Sequence, residues 1–94
     1  PMTGLDIVMK SKFRSMFDIL IERGVSIVMI THELTDIPAS VRRVVMVKDG
    51  RIFADGDKGE LLTDSKVSEL YGESIKVESQ NGIYRMRLAD DVIQ

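Results

Sequence analysis

Cysteine and tryptophan are absent from these 94 residues, and there are only two prolines and one histidine. Without cysteine there is no disulfide framework and no thiolate metal site, a composition compatible with a reducing compartment. No apolar run approaches the roughly 18 residues that a membrane-spanning helix requires, and the N-terminus lacks the basic-then-apolar layout of a signal peptide. A cytoplasmic location is the resulting expectation. An excess of positive charge is also missing: the net charge is −2, which argues against a general nucleic-acid binder, because phosphate-backbone binding requires a basic face. The charge is uneven, +2 over residues 1–48 and −4 over residues 49–94, a mild asymmetry that fits a solvated acidic surface on the second half.

What is present describes one ordinary domain with a single core, 44% hydrophobic and 30% charged, near the small end of the domain range. Asp6 is placed to cap a helix in which Phe13, Met16, Phe17, Leu20 and Ile21 follow at i, i+3, i+4 spacing. Lys10, Lys12, Arg14, Asp18 and Glu22 occupy much of the opposite face, and Arg23-Gly24 ends the helix. Val25 to Thr31 then has almost no polar alternation, the pattern of a parallel strand covered on both faces. Glu33 to Ser40 reads as a loop or short helical turn interrupted by Pro38.

Two hairpins follow from turn chemistry. Asp49-Gly50 between Val44–Val47 and Ile52–Ala54 predicts a two-residue turn, pairing Val47 with Ile52 and Met46 with Phe53. Asn81-Gly82 predicts a second, pairing Gln80 with Ile83, Glu78 with Arg85, Val77 with Met86 and Ile75 with Leu88, with Lys76 against Arg87 as a like-charge pair. Between them, 56–72 reads as two short helical pieces, the second capped by Thr63 or Asp64. Gly72 to Ser74 separates an α/β body from the terminal hairpin, and residues 89–94 read as a frayed tail.

His32 stands at the carboxyl end of the most apolar segment, the end outside which ligands gather in open α/β sheets. A histidine there can donate a hydrogen bond to an anionic ligand. Taken alone, that reading is outweighed by the plain one of a partly exposed histidine at a strand end. Thr31 and Glu33 shape the loop on either side of it.

The order of motifs changes the balance. Pro1-Met2-Thr3-Gly4-Leu5-Asp6 resembles the D-loop of the ATPase subunits of ATP-binding cassette (ABC) transporters, and Ile30-Thr31-His32-Glu33-Leu34 resembles the same family's switch, or H-loop. "RRVVMVKDGRIFADG" resembles its late β-hairpin and "KGELLTDSKVSELYG" its helical tail. The resemblance covers residues 1–72 and extends loosely beyond. It implies an α/β fold, the C-terminal portion of a P-loop NTPase of the ABC ATPase type. Its expected order is a helix and a parallel strand, then a β-hairpin, short helices and a terminal β-hairpin, with residues 1–72 as the ATPase part and 73–94 as hairpin and tail. By the same resemblance His32 would contact the γ-phosphate as the catalytic residue, while Gly4, Leu5 and Asp6 would reach nucleotide across a sandwich dimer. No metal ligand is assigned. Asp6 can act as a helix cap as well.

Departures qualify the resemblance. Met2 stands where the family often has threonine, and Arg42 where an aspartate commonly precedes the arginine matching Arg43. No G-x-x-x-x-G-K-[ST] phosphate loop occurs, and the Gln loop, signature motif, Walker B aspartate and catalytic glutamate would all lie before Pro1. The implied parent hydrolyses ATP with Mg²⁺ to drive transport, working with a second ABC ATPase domain and membrane permease subunits, peripheral to the membrane. The 94-residue chain alone is expected to be inactive and without a cofactor. It is also expected to self-associate or exchange strands through the apolar edge of Val25–Thr31. The alternative is a stand-alone α/β interaction module of the same ancestry without nucleotide function. A free-standing hydrolase pairing His32 with Asp6 or Asp36 lacks a nucleophile in any recognisable motif.

Overall fold

A computed structural model describes residues 4–90, Leu5 by its backbone alone; Pro1, Met2 and Thr3 of the D-loop-like stretch and the last four residues of the expected tail lie outside the described residues. Helix α1 runs from Gly4 to Glu22, so it begins before Asp6, which lies in the first turn instead of at the cap. It ends where expected. Gly24 adopts φ 87°, and the Val25 and Gly24 amides return to the Leu20 and Ile21 carbonyls at 3.0 Å each, the paired bonds of a Schellman stop.

The expected parallel strand does not form. Both sheets of the described residues are two-stranded and antiparallel, and residues 25–31 belong to neither. The physical reason is that a strand is completed by a neighbour, and no described segment pairs with this one. The segment still keeps a two-residue alternation. Ile27, Met29 and Thr31 are half-buried, whereas Val28 and Ile30 are 93% and 96% exposed. Met29 and Thr31 line a hollow of about 280 Å³ with Phe13 and Phe17 of α1. The segment therefore borders the helix across that hollow, which Ile30 also lines, while Val28 and Ile30 remain almost wholly exposed.

The rest of the chain closes around a core. A 3-10 turn, Leu34–Asp36, leads through the fully buried Pro38 into strands β1 (Arg43–Lys48) and β2 (Arg51–Asp57). Asp49 and Gly50 have φ 52° and 74°, the positive values that a two-residue hairpin turn requires. Val47 pairs with Ile52 as expected, but Met46 pairs with Ala54, so Phe53 is the extra residue of a bulge. The Phe53 ring lies 5.7 Å from the Lys48 ammonium and 5.5 Å from that of Lys66, a setting the strand pattern alone does not reveal.

Helices α2 (Lys58–Leu61) and α3 (Asp64–Tyr71) follow. Asp57 caps the first through the Gly59 amide, and Thr63 caps the second through the Lys66 amide. Gly72 at φ 69° closes α3. Strands β3 (Ile75–Gln80) and β4 (Ile83–Leu88) take every expected pairing, Ile75 with Leu88 through Gln80 with Ile83. The like charges of Lys76 and Arg87 are relieved sideways, by Asp64 at 3.5 Å and Glu78 at 3.2 Å.

Met46, Leu61, Leu62, Val67 and Ile75 form the buried cluster, with residues of both hairpins and the 3-10 turn packed around it. The Ser68 hydroxyl accepts from the Ile75 amide at 2.8 Å and donates to its carbonyl at 3.2 Å, fastening α3 to β3. None of these core residues comes from α1 or the apolar segment.

Candidate functional site

His32 sits on an exposed bend between two residues that share hydrogen bonds. The Thr31 hydroxyl accepts from the Glu33 amide at 3.0 Å and donates to the Asp36 carboxylate at 2.8 Å. The first bond closes a side-chain-mediated turn over His32, and the second ties that turn to the 3-10 segment. The imidazole is thus held at the outer tip of a braced loop. Thr31 does the shaping expected of it.

The brace extends to α1. Lys10 forms an ion pair with Asp36 at 3.0 Å and donates to the Thr35 hydroxyl at 3.3 Å. Arg14 donates to the Thr35 carbonyl at 2.7 Å. Asp18 accepts from the Ser40 amide at 3.1 Å and from the Ser40 hydroxyl. Residues 10, 14 and 18 are four apart, so they share one helix face, and that face carries the loop from Thr35 to Ser40. Placing these side chains on the face opposite the apolar one does not by itself reveal this role. Their i, i+4, i+8 spacing was the available signal, but spacing alone does not say what a polar stripe meets.

The electrostatics favour the braced state. Burial alone would raise the Asp36 pKa, yet hydrogen bonds from Lys10 and Thr31 and the charges of Lys10 and Arg14 outweigh it and hold the group below its ordinary value. The carboxylate's oxygens are engaged by Lys10 and Thr31, so it serves the loop's architecture instead of orienting the histidine for hydrolysis.

The other expected site residues lie at the head of the same helix. Gly4 and Asp6 are exposed in the first turn of α1, and the Leu5 side chain is outside the described residues. At about 1.5 Å of rise per residue, Gly4 and Asp6 stand roughly 6–9 Å along the axis from Lys10. The connection the structure shows between the D-loop-like and H-loop-like stretches is therefore α1 itself. Among the described residues no group of three or more His, Asp or Glu side chains is arranged to hold a metal ion. No helix among them is long and apolar enough to cross a membrane.

A second polar centre lies behind the loop. Lys58 is buried, and its ammonium donates to the Ala39 carbonyl at 2.9 Å and to the Gly82 carbonyl at 3.4 Å. Its ammonium also lies 5.5 Å from the Tyr84 ring. Burial lowers the Lys58 pKa, partly offset by the charges of Asp18 and Asp57.

No protein-family model matches the chain. Among curated proteins it is similar to the vitamin B12 import ATP-binding protein BtuD of Escherichia coli O45:K1 (strain S88), with 29% identity over 76 residues, 81% of this chain and 30% of that protein. BtuD of E. coli O127:H6 (strain E2348/69) and of E. coli O139:H28 (strain E24377A) match with the same identity and coverage. The chain thus spans less than a third of the length of these relatives. At 29% identity and over a part of their length, this chain is similar to ATP-binding proteins of the ABC-transporter type.

Proposed function

We propose that the chain is the C-terminal part of an ABC-type ATPase subunit, in which His32 contacts the γ-phosphate of ATP and Gly4, Leu5 and Asp6 form the D-loop at a two-domain interface. In this reading residues 1–72 are the ATPase part and 73–94 an appended hairpin and tail. The whole subunit works in the cytoplasm against membrane permease subunits, binding and hydrolysing ATP to drive transport. The observation that carries the reading is the braced, exposed His32 loop on the helix headed by Gly4-Leu5-Asp6, in a chain similar to ATP-binding import proteins.

Phosphoryl transfer needs positioned donors and an oriented water more than covalent chemistry from the protein. An imidazole on a hydrogen-bonded, solvent-facing bend supplies one such donor. The residues present fit that single contact and not the nucleotide as a whole: no phosphate loop occurs in the chain, and that loop's backbone cradle and lysine hold the β- and γ-phosphates. ATP and Mg²⁺ therefore belong to the whole subunit, and the 94-residue chain is inactive alone.

Two measurements test this. In an ATP-hydrolysing subunit that contains this sequence, His32→Ala should lower turnover at least roughly a hundredfold, the scale of losing one transition-state donor, with thermal stability nearly unchanged. Equal losses of activity and stability would make His32 an ordinary structural residue. Calorimetric titration of the 94-residue chain with Mg-ATP should give no tight binding, and a micromolar isotherm would overturn the assignment of nucleotide binding to the missing elements.

A second reading, an α/β interaction module without nucleotide function, is favoured by one observation: the bare faces of Val28, Ile30 and α1. It predicts that His32→Ala leaves every nucleotide-dependent readout of any longer protein unchanged.

A further inference from the structure

We propose that the terminal hairpin β3–β4 is a positioning strut for the His32 loop, acting through the buried Lys58 and the Asn81-Gly82 turn. This rests on the reading of His32 as a phosphate contact only for its functional consequence, and the structural part stands by itself.

The loop from Thr31 to Val41 has two supports. Its front is fastened to α1 by Lys10, Arg14 and Asp18. Its back meets the terminal hairpin. Strand β4 packs on the 3-10 turn, and the Gly82 turn approaches so closely that a Cβ there would lie 2.9 Å from the Ala39 Cβ. A non-glycine residue at position 82 would therefore push on the loop, apart from the strain of its φ of 79°.

Between the two surfaces stands one ammonium. Lys58 donates to the Ala39 carbonyl on the loop and to the Gly82 carbonyl on the hairpin, while its own backbone amide is fixed to the Arg42 carbonyl at 2.7 Å. A buried charge without partners is strongly unfavourable, so the ammonium requires both carbonyls to stay near it. The adjacent residue, Ser40, is the one held by Asp18. The hairpin, the loop and α1 are thereby linked in series, and a displacement of the hairpin is transmitted to the segment that carries His32. Lys58 and Gly82 act through the loop and are positioning residues.

His32 is the only histidine of the chain, so its ring signals in a ¹H–¹³C spectrum report on the loop without ambiguity. In the 94-residue chain, Lys58→Met and Gly82→Ala should each shift those signals. Each should also reduce hydrogen-exchange protection of the Ile37 and Ser40 amides roughly tenfold, the scale of losing one hydrogen bond to a charged group. Lys48→Met, which removes an exposed lysine bonded to the Glu69 carbonyl, should change neither. Should Lys58→Met unfold the chain, Gly82→Ala, one methyl at a surface turn, carries the test alone. Unchanged His32 signals and protection in a folded variant would overturn the strut.

In an ATP-hydrolysing subunit containing this chain, Lys58→Met should lower kcat roughly three- to tenfold with KM for ATP held, and should add nothing to His32→Ala. Additive losses would mean that Lys58 does not act through His32. The two ideas fail separately: a silent His32→Ala removes the phosphate contact, whereas silent ring signals remove the strut.

Discussion

The two ends of this chain bury their apolar residues to very different degrees. From Leu34 onward, two hairpins and two short helices enclose Met46, Leu61, Leu62, Val67 and Ile75, all of them buried. Before Leu34, α1 and the segment after it carry equally apolar side chains, yet Phe13 and Ile19 are half exposed and Val28 and Ile30 almost wholly so. The difference lies in partners. Hairpins and capped helices satisfy their backbone locally, whereas a segment patterned for the middle of a sheet needs neighbours from elsewhere. What attaches the first region to the second is a polar stripe, Lys10, Arg14 and Asp18, gripping the loop of His32.

The largest test of this contrast is in the core. Leu62→Ala should lower stability by about 3 kcal/mol, since truncating a buried leucine loses transfer energy and leaves a cavity. Urea unfolding would measure it, and a loss below 1 kcal/mol, by the same scale, would mean that the second region is not the cooperative core. Next comes the attachment. Asp18→Ala removes the acceptor of two Ser40 bonds and should destabilise by about 1–2 kcal/mol, with hydrogen-exchange protection lost mainly in α1. If α1 were held by apolar packing, its protection would not respond.

Acid should loosen the same attachment more gently. The folded-state pKa of Asp36 lies below its unfolded value because Lys10 and Thr31 outweigh burial. The unfolded state therefore binds more protons in this range, and stability falls as pH falls. The contribution is full above the unfolded pKa, near pH 4, and disappears as pH drops through the lower folded value. Asp36 is partly exposed, so the effect should be below about 1 kcal/mol. Asp55 and Asp64 are lowered too, by the Arg43 hydrogen bond and the Val77 amide respectively, and contribute with the same sign. Asp36→Asn should flatten part of the acid limb of a urea-midpoint profile, and an unaltered limb would remove Asp36 from the account.

The contrast also explains what was legible in the sequence. Both hairpin turns carried their signature dipeptides, and the second hairpin's register followed residue by residue because its ladder contains no bulge. The first slipped at Phe53, where Lys48 and Lys66 flank an aromatic ring across elements. Of the two cap candidates, Thr63 and Asp64, it is Thr63 that caps α3, and the helical stretch ends at Gly72 as expected. Val25–Thr31 was misread as a completed strand because the pattern encodes a preference that only a neighbour can fulfil. Near the candidate site, the loop-shaping role of Thr31 was legible from its position beside His32. The grip of Lys10, Arg14 and Asp18, and the buried Lys58, were not visible, because a charged side chain on a helix reads as solvated until its partner is known.

The smallest expected effect on folding is also the sharpest on behaviour. Val28 and Ile30 contribute almost nothing to the core because they are already in water, so Val28→Lys with Ile30→Lys should change the urea midpoint by less than about 0.5 kcal/mol equivalent. The same bare side chains lie on a segment outside both sheets, and an apolar edge of that kind recruits another chain. The unmodified chain should then show concentration-dependent mass in sedimentation equilibrium, through pairing of this segment between copies. Two lysines on each copy would oppose like charges across such a pairing, raising the dissociation constant at least roughly tenfold. A wild-type chain that stays monomeric at high concentration would show that the half-buried face toward α1 suffices to quiet the segment. A large loss of stability in the double variant would instead mean that its outer face belongs to the core, and the division between the two regions would have to be redrawn.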